Sequence, residues 1–207
     1  MSLAVSGYVK QFYKGNIFGA TAAGRKGYDL RSLISADMQA TRRALKELHG
    51  FDYDSIEEDE DKEKLDRTVQ AYVDTYNNYL NSAGSLDHDD VNRDLSKMKK
   101  LAGKYKDEFA QIGIKVHNNG SLSVDEETLE KASKIKIKKF FSQDTGYGTQ
   151  LEKHMKKIQT TVRRNNLGMP VVSQAKKEQS PSQNEDDAKL VSILAEALEG
   201  SRINQVI

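Results

Sequence analysis

The sequence predicts a mainly α-helical protein, an elongated antiparallel coiled-coil or helical bundle with one small β-hairpin. Apolar residues recur at alternating spacings of four and three in four separate stretches, which keeps one stripe of each helix turned toward a partner helix. The first proline is Pro170, so nothing interrupts helix formation over most of the chain. Only 37% of the 207 residues are apolar while 30% are charged. That balance suits long helices that bury a narrow stripe and leave their other faces in water.

Taken from the start, residues 1–29 carry Tyr8, Phe12, Tyr13, Phe18 and Tyr28 among Gly7, Gly15, Gly19, Gly24 and Gly27. This mixture reads as a flexible glycine- and aromatic-rich arm that needs a partner surface to be ordered. Gly19 and Gly24 have the separation of a phosphate-binding loop. However, Arg25 and Lys26 stand where Lys and then Ser or Thr are required, and no apolar strand precedes them.

A helical body is expected over residues 30–167. Its stripes begin with Ile34, Met38, Thr41, Leu45 and Leu48, followed by Leu65, Val69, Tyr72, Tyr76 and Tyr79. A longer stripe runs through Val91, Leu95, Met98, Ala102, Tyr105, Phe109 and Ile112. The last holds Leu151, Met155, Ile158 and Val162, with Tyr147 one turn earlier. Four stripes in one chain imply antiparallel helical hairpins. Tyr72 and Tyr76 are expected in the core, with their hydroxyls reaching the surface. Gly50 stops the first helix, the acidic run at 57–61 suits the N-terminus of the second, and residues 81–85 close it.

Between the third and fourth stripes, apolar residues alternate on either side of a turn signal, from Ile114 to Val124. A two-residue loop at Asn119-Gly120 would set Val116 opposite Ser123 and waste the apolar face. A three-residue loop, Asn118 to Gly120, pairs Val116 with Leu122 and Ile114 with Val124, with Gly120 in the left-handed conformation at its end. Asp125 then caps a short helix whose first turn holds Glu126 and Glu127. Residues 168–185 contain both prolines and no periodicity, as a disordered linker would. An amphipathic tail helix is expected over 186–199, with Leu190, Ile193, Leu194, Ala197 and Leu198 as its interaction stripe.

Composition excludes several chemistries. The chain has no cysteine, which removes disulfides, thiolate metal sites and thiol nucleophiles. Lys and Arg number 32 against 31 Asp and Glu, which gives no general case for nucleic acid. No apolar run could span a bilayer, and the start lacks the pattern of a Sec signal. In the run Asp87-His88-Asp89-Asp90, with Asn92 and Asp94, the Asp and Asn side chains offer oxygen ligands, but the glycine and closing Glu of a calcium loop are missing, so the run reads as a solvated helix start. His49, His88, His117 and His154 lie on separate elements, without the paired spacing of a zinc helix. The Lys-rich run at 134–139 reads as a solvated edge. No catalytic, cofactor or metal site is expected.

Four segments follow one another through the middle of the chain: Val69-Gln-Ala-Tyr-Val-Asp-Thr-Tyr-Asn-Asn-Tyr-Leu80, then Phe109-Ala-Gln-Ile-Gly-Ile114, Asn119-Gly-Ser-Leu-Ser-Val-Asp-Glu-Glu-Thr-Leu129 and Ile137-Lys-Lys-Phe-Phe-Ser142. They resemble the helical body of the flagellar filament-capping protein (hook-associated protein 2) family. They match in order and spacing over roughly residues 64–165, about half the chain. Family members are typically longer, with inserted β-rich domains for which this chain has no counterpart. The resemblance implies a structural or assembly role in bacteria through self-association or partner binding, with export to the flagellum without a cleaved signal. A cytosolic helical adaptor that docks a partner through its tail helix is the alternative. Either reading expects protein partners, a homo-oligomer, no nucleic acid and no membrane.

Overall fold

The computed structural model describes residues 3–56, 59–142 and 145–169, which form a mainly α-helical unit with one two-stranded antiparallel sheet. Four helices make its frame: α3 (Leu30–His49), α4 (Asp59–Gly84), α5 (Asp89–Lys104) and α9 (Tyr147–Arg164). They follow the short α1 (Leu3–Lys10) and α2 (Ala22–Arg25); α6 (Lys106–Ala110), α7 (Glu126–Glu130) and α8 (Lys134–Phe141) lie between α5 and α9. α3 packs on α4 and α9, and α5 packs on α9 and α4, closing a ring. Arg42 meets Glu152 and Arg31 meets Asn166, so α3 and α9 run antiparallel. His154 meets Asp94 and Asn165 meets His88, so α5 and α9 do too.

Every residue of the four apolar stripes is buried except Tyr105. α4 buries more than its stripe, because α1, α7 and the hairpin cover further sides of it. Thr68, Ala71, Val73 and Thr75 are therefore buried as well. The two threonine hydroxyls bond carbonyls one turn back, those of Lys64 and Ala71, each at 2.8 Å, so neither of these buried donors is left unpaired. α4 ends at Gly84, within the expected stop at 81–85.

The third stripe is not one helix. The chain leaves the helical region at Tyr105 (φ −101°, ψ 21°), between α5 and α6. The Tyr105 hydroxyl donates to the Thr145 carbonyl at 2.7 Å, and its ring packs edge-on against Phe140 and Tyr147. These long-range contacts override the local helical pattern.

Strands β1 (Ile114–Val116) and β2 (Leu122–Val124) pair Ile114 with Val124 and Val116 with Leu122. The His117 amide donates to Ser121 and the Gly120 amide to His117, each at 2.9 Å, which leaves the three-residue loop at 118–120. Asn77 on α4 docks the hairpin by donating to the Leu122 carbonyl at 2.7 Å and accepting from the Leu122 amide at 2.9 Å. Gly120 has φ +83°, and a Cβ there would fall 2.7 Å from the Lys99 Cβ. Gly120→Val should therefore destabilise the fold by about 2 kcal/mol. An unchanged denaturation midpoint would contradict this reading of the loop.

Residues 1–29, expected as a flexible arm, are instead packed on α3 and α4 where the structure describes them. Val9, Phe12 and Tyr13 are buried. The chain also continues in order past α9: the Arg31 amide donates to the Gly168 carbonyl at 3.3 Å, and Gly168 has φ +69°. Gly168, expected as the first linker residue, thus belongs to the helical unit. Linker residues 170–185 and the expected tail helix at 186–199, with its stripe of Leu190, Ile193, Leu194, Ala197 and Leu198, lie outside the described residues.

Candidate interaction face

Helical period decides which way α9 points its charges. Leu151, Met155, Ile158 and Val162 face inward, so Lys153, Lys156, Lys157 and Arg164 face out. The ring places α3 and α5 on either side of α9, where they add Arg42, Arg43 and Lys46, and Arg93 and Lys97. Together these residues line an open concavity of about 1380 Å³, with nine Lys and Arg side chains against three carboxylates, Asp90, Asp94 and Glu152.

All three carboxylates are already engaged. Glu152 lies 3.3 Å from Arg42 and 3.6 Å from Lys156. Asp94 bonds His154 at 3.0 Å and lies 3.6 Å from Lys97, and Asp90 pairs with Arg93. Arg43 donates to the Phe12 carbonyl at 2.7 Å. Among the described residues, Lys46, Lys153, Lys157 and Arg164 have no carboxylate within reach. Four unpaired cations on one face are a surface looking for anions.

Asp94 departs from the sequence reading. The run from Asp87 to Asp94 was expected to be a solvated helix start, yet Asp94 is buried. It sits beside Leu95 on the inward side of α5, and the half-buried His154 of α9 covers it.

Beneath the N-terminal segment lies a buried clamp. Asp37 on α3 is fully buried and receives both guanidinium nitrogens of Arg25, at 2.7 and 2.8 Å. The Tyr13 hydroxyl donates to the Asp37 Oδ1 at 2.8 Å and accepts from Asn78 on α4 at 2.9 Å. Arg25 also donates to the Gly19 carbonyl at 2.8 Å. Burial first, and then the Asp37 charge, hold the Tyr13 hydroxyl well above the usual tyrosine range. Hydrogen bonding to Asp37 raises Arg25 in turn. The clamp thus ties the turn that holds Tyr13, α2, α3 and α4 together. The sequence signal for it was an aspartate at an inward position between Ile34 and Met38.

The residues singled out from the sequence take structural positions. Asp125 accepts the Thr128 amide at 2.9 Å and caps α7. Tyr72 and Tyr76 are buried, but their hydroxyls do not reach the surface as expected. Tyr72 bonds the Tyr147 hydroxyl, and Tyr76 donates to the Gly120 carbonyl at 3.2 Å. The alternatives inside the bundle are partners on other elements, which a reading of one helix cannot supply. Burial raises the hydroxyls of Tyr13, Tyr72, Tyr76, Tyr79 and Tyr147 above the model-compound value of 10.0. A raised folded pKa means that the folded state holds its protons longer. Stability is then complete below pH 10 and falls as pH rises beyond it. Titration should show cooperative alkaline unfolding above pH 10, with tyrosinate absorbance rising together with the loss of helix. Tyrosinate formed in stages while the helix signal stays intact would contradict the burial of these hydroxyls.

Among the described residues, no group of three or more His, Asp or Glu is placed to hold a metal, and no helix is long and apolar enough to cross a membrane. No protein-family model, curated protein or solved structure matches the chain.

Proposed function

We propose that this chain is a structural or assembly protein that works by helix-mediated association with further copies or with protein partners, and that it is not an enzyme. The observation that carries this reading is the cationic face of α3, α9 and α5, on which four long cationic side chains lack a carboxylate partner among the described residues. A rigid helical unit that displays unpaired charge over three helices is suited to electrostatic recognition of another macromolecule. The resemblance of residues 64–165 to the helical body of the filament-capping family supports assembly, and with it a bacterial flagellar setting. Light scattering over a wide concentration series tests the reading. The mass should rise above the 23.2 kDa of one chain as concentration increases. A constant monomer mass, with or without cell extract depleted of nucleic acid, would sink it.

A further inference from the structure

The unit carries a second region of opposite sign. The described side chains of residues 51–56 and 60–63, which follow α3 and open α4, include five carboxylates, Asp52, Asp54, Glu60, Asp61 and Glu63, and one cation, Lys62. Asp52, Asp54, Glu60 and Glu63 are exposed. Asp54 is held by Lys138 at 2.9 Å and Glu63 lies 3.6 Å from Arg67. Among the described residues, Asp52 and Glu60 have no cationic partner.

We infer that the cationic face of one copy receives the acidic α3–α4 end of a second copy. This rests on the assembly reading above and names its contact. Residues 51–56 cannot reach across to their own face, because they are tied down. Tyr53 is buried and donates to the Leu48 carbonyl at 2.7 Å, while Lys134 donates to the Ile56 carbonyl at 2.8 Å. The unpaired Lys157 and Arg164 stand toward the far end of α9, which at 1.5 Å per residue spans about 25 Å. Segregated charge within a net charge of only +1 lets copies approach without net repulsion while still steering them into register. The two patches are different surfaces, so the contact is head-to-face and leaves one free face and one free end at each step. Such contacts build open assemblies unless the rotation closes a ring. The three carboxylates kept on the face, and the even overall charge, favour an acidic protein surface over a phosphate backbone.

Two neutralised variants of the full chain test this. One carries Lys46→Gln, Lys153→Gln, Lys157→Gln and Arg164→Gln; the other carries Asp52→Asn, Glu60→Gln and Glu63→Gln. All seven side chains are exposed, and circular dichroism checks that both variants fold. Each alone should associate about tenfold more weakly or worse. Mixed, they should form 1:1 pairs and nothing larger, since only one usable contact remains. If the parent chain associates but neither variant weakens it, the assembly reading stands and this contact is overturned. If only the face variant weakens it, or if the parent retains a short DNA duplex that the face variant loses, the acidic end is not the occupant. A parent that stays monomeric overturns both.

Discussion

Asp37→Ala should cost the fold about 3 kcal/mol and lower its melting temperature by roughly 6–12 °C. The carboxylate is fully buried and accepts from Arg25 and Tyr13. Its loss strands a partly buried guanidinium and a buried hydroxyl at once, and an unpaired buried group costs more than the bond that it replaces. The Arg25 side chain keeps 19% exposure, which gives it an escape to water and places the estimate at the lower end of the range for broken buried pairs. The double change Arg25→Ala with Asp37→Ala should therefore cost less than the sum of the two single changes, because no charge is then left behind. Protease should cut earliest in residues 11–29, which the clamp holds against α3. Additive costs in the double variant, measured by urea denaturation, would show that the pair is not coupled.

Gly113→Ala should be more damaging than Gly120→Val, at about 3 kcal/mol or more. Gly113 has φ +75°, and an added Cβ would lie 2.5 Å from the Leu129 amide nitrogen and 2.7 Å from its Cα. Those are backbone atoms of α7 and cannot swing aside. Yielding would move Leu129, which is buried, and would pull on the Asp125 amide, which donates to the Gly113 carbonyl at 2.8 Å. Gly103→Ala is the matched control. It lies within α5 with nothing within 4 Å of the added Cβ, so it should stabilise the helix by about 0.5–1 kcal/mol. If the two substitutions shift the midpoint in the same direction, the close approach of the Gly113 backbone to α7 is not what constrains this position.

These sites differ in how far the sequence exposes them. Helix stripes and hairpin register follow from periods of a few residues, so Ile34 to Leu48 and Val116 opposite Leu122 are readable along the chain. The left-handed Gly120 is readable too, because the apolar pairing admits only one loop length. Gly113 is not, since its constraint comes from Leu129, which reaches it only after the intervening hairpin has folded. The clamp joins Tyr13, Arg25, Asp37 and Asn78 from four elements, and glycines between them made the segment look free. The cationic face was hidden for a related reason. On α3, α5 and α9 taken singly, the cations look like ordinary solvated helix surfaces. Only the order of helices around the ring makes them neighbours.

The most direct test of association through opposite charge is zero-length carbodiimide cross-linking of the full chain, with isotopically heavy and light copies mixed in equal amounts. Hybrid heavy–light cross-links should join Lys153 or Lys157 to carboxylates within residues 52–63, and they should fade as salt is raised because exposed charges are screened. Hybrid links that map elsewhere, or links confined to single copies at every salt concentration, would contradict it.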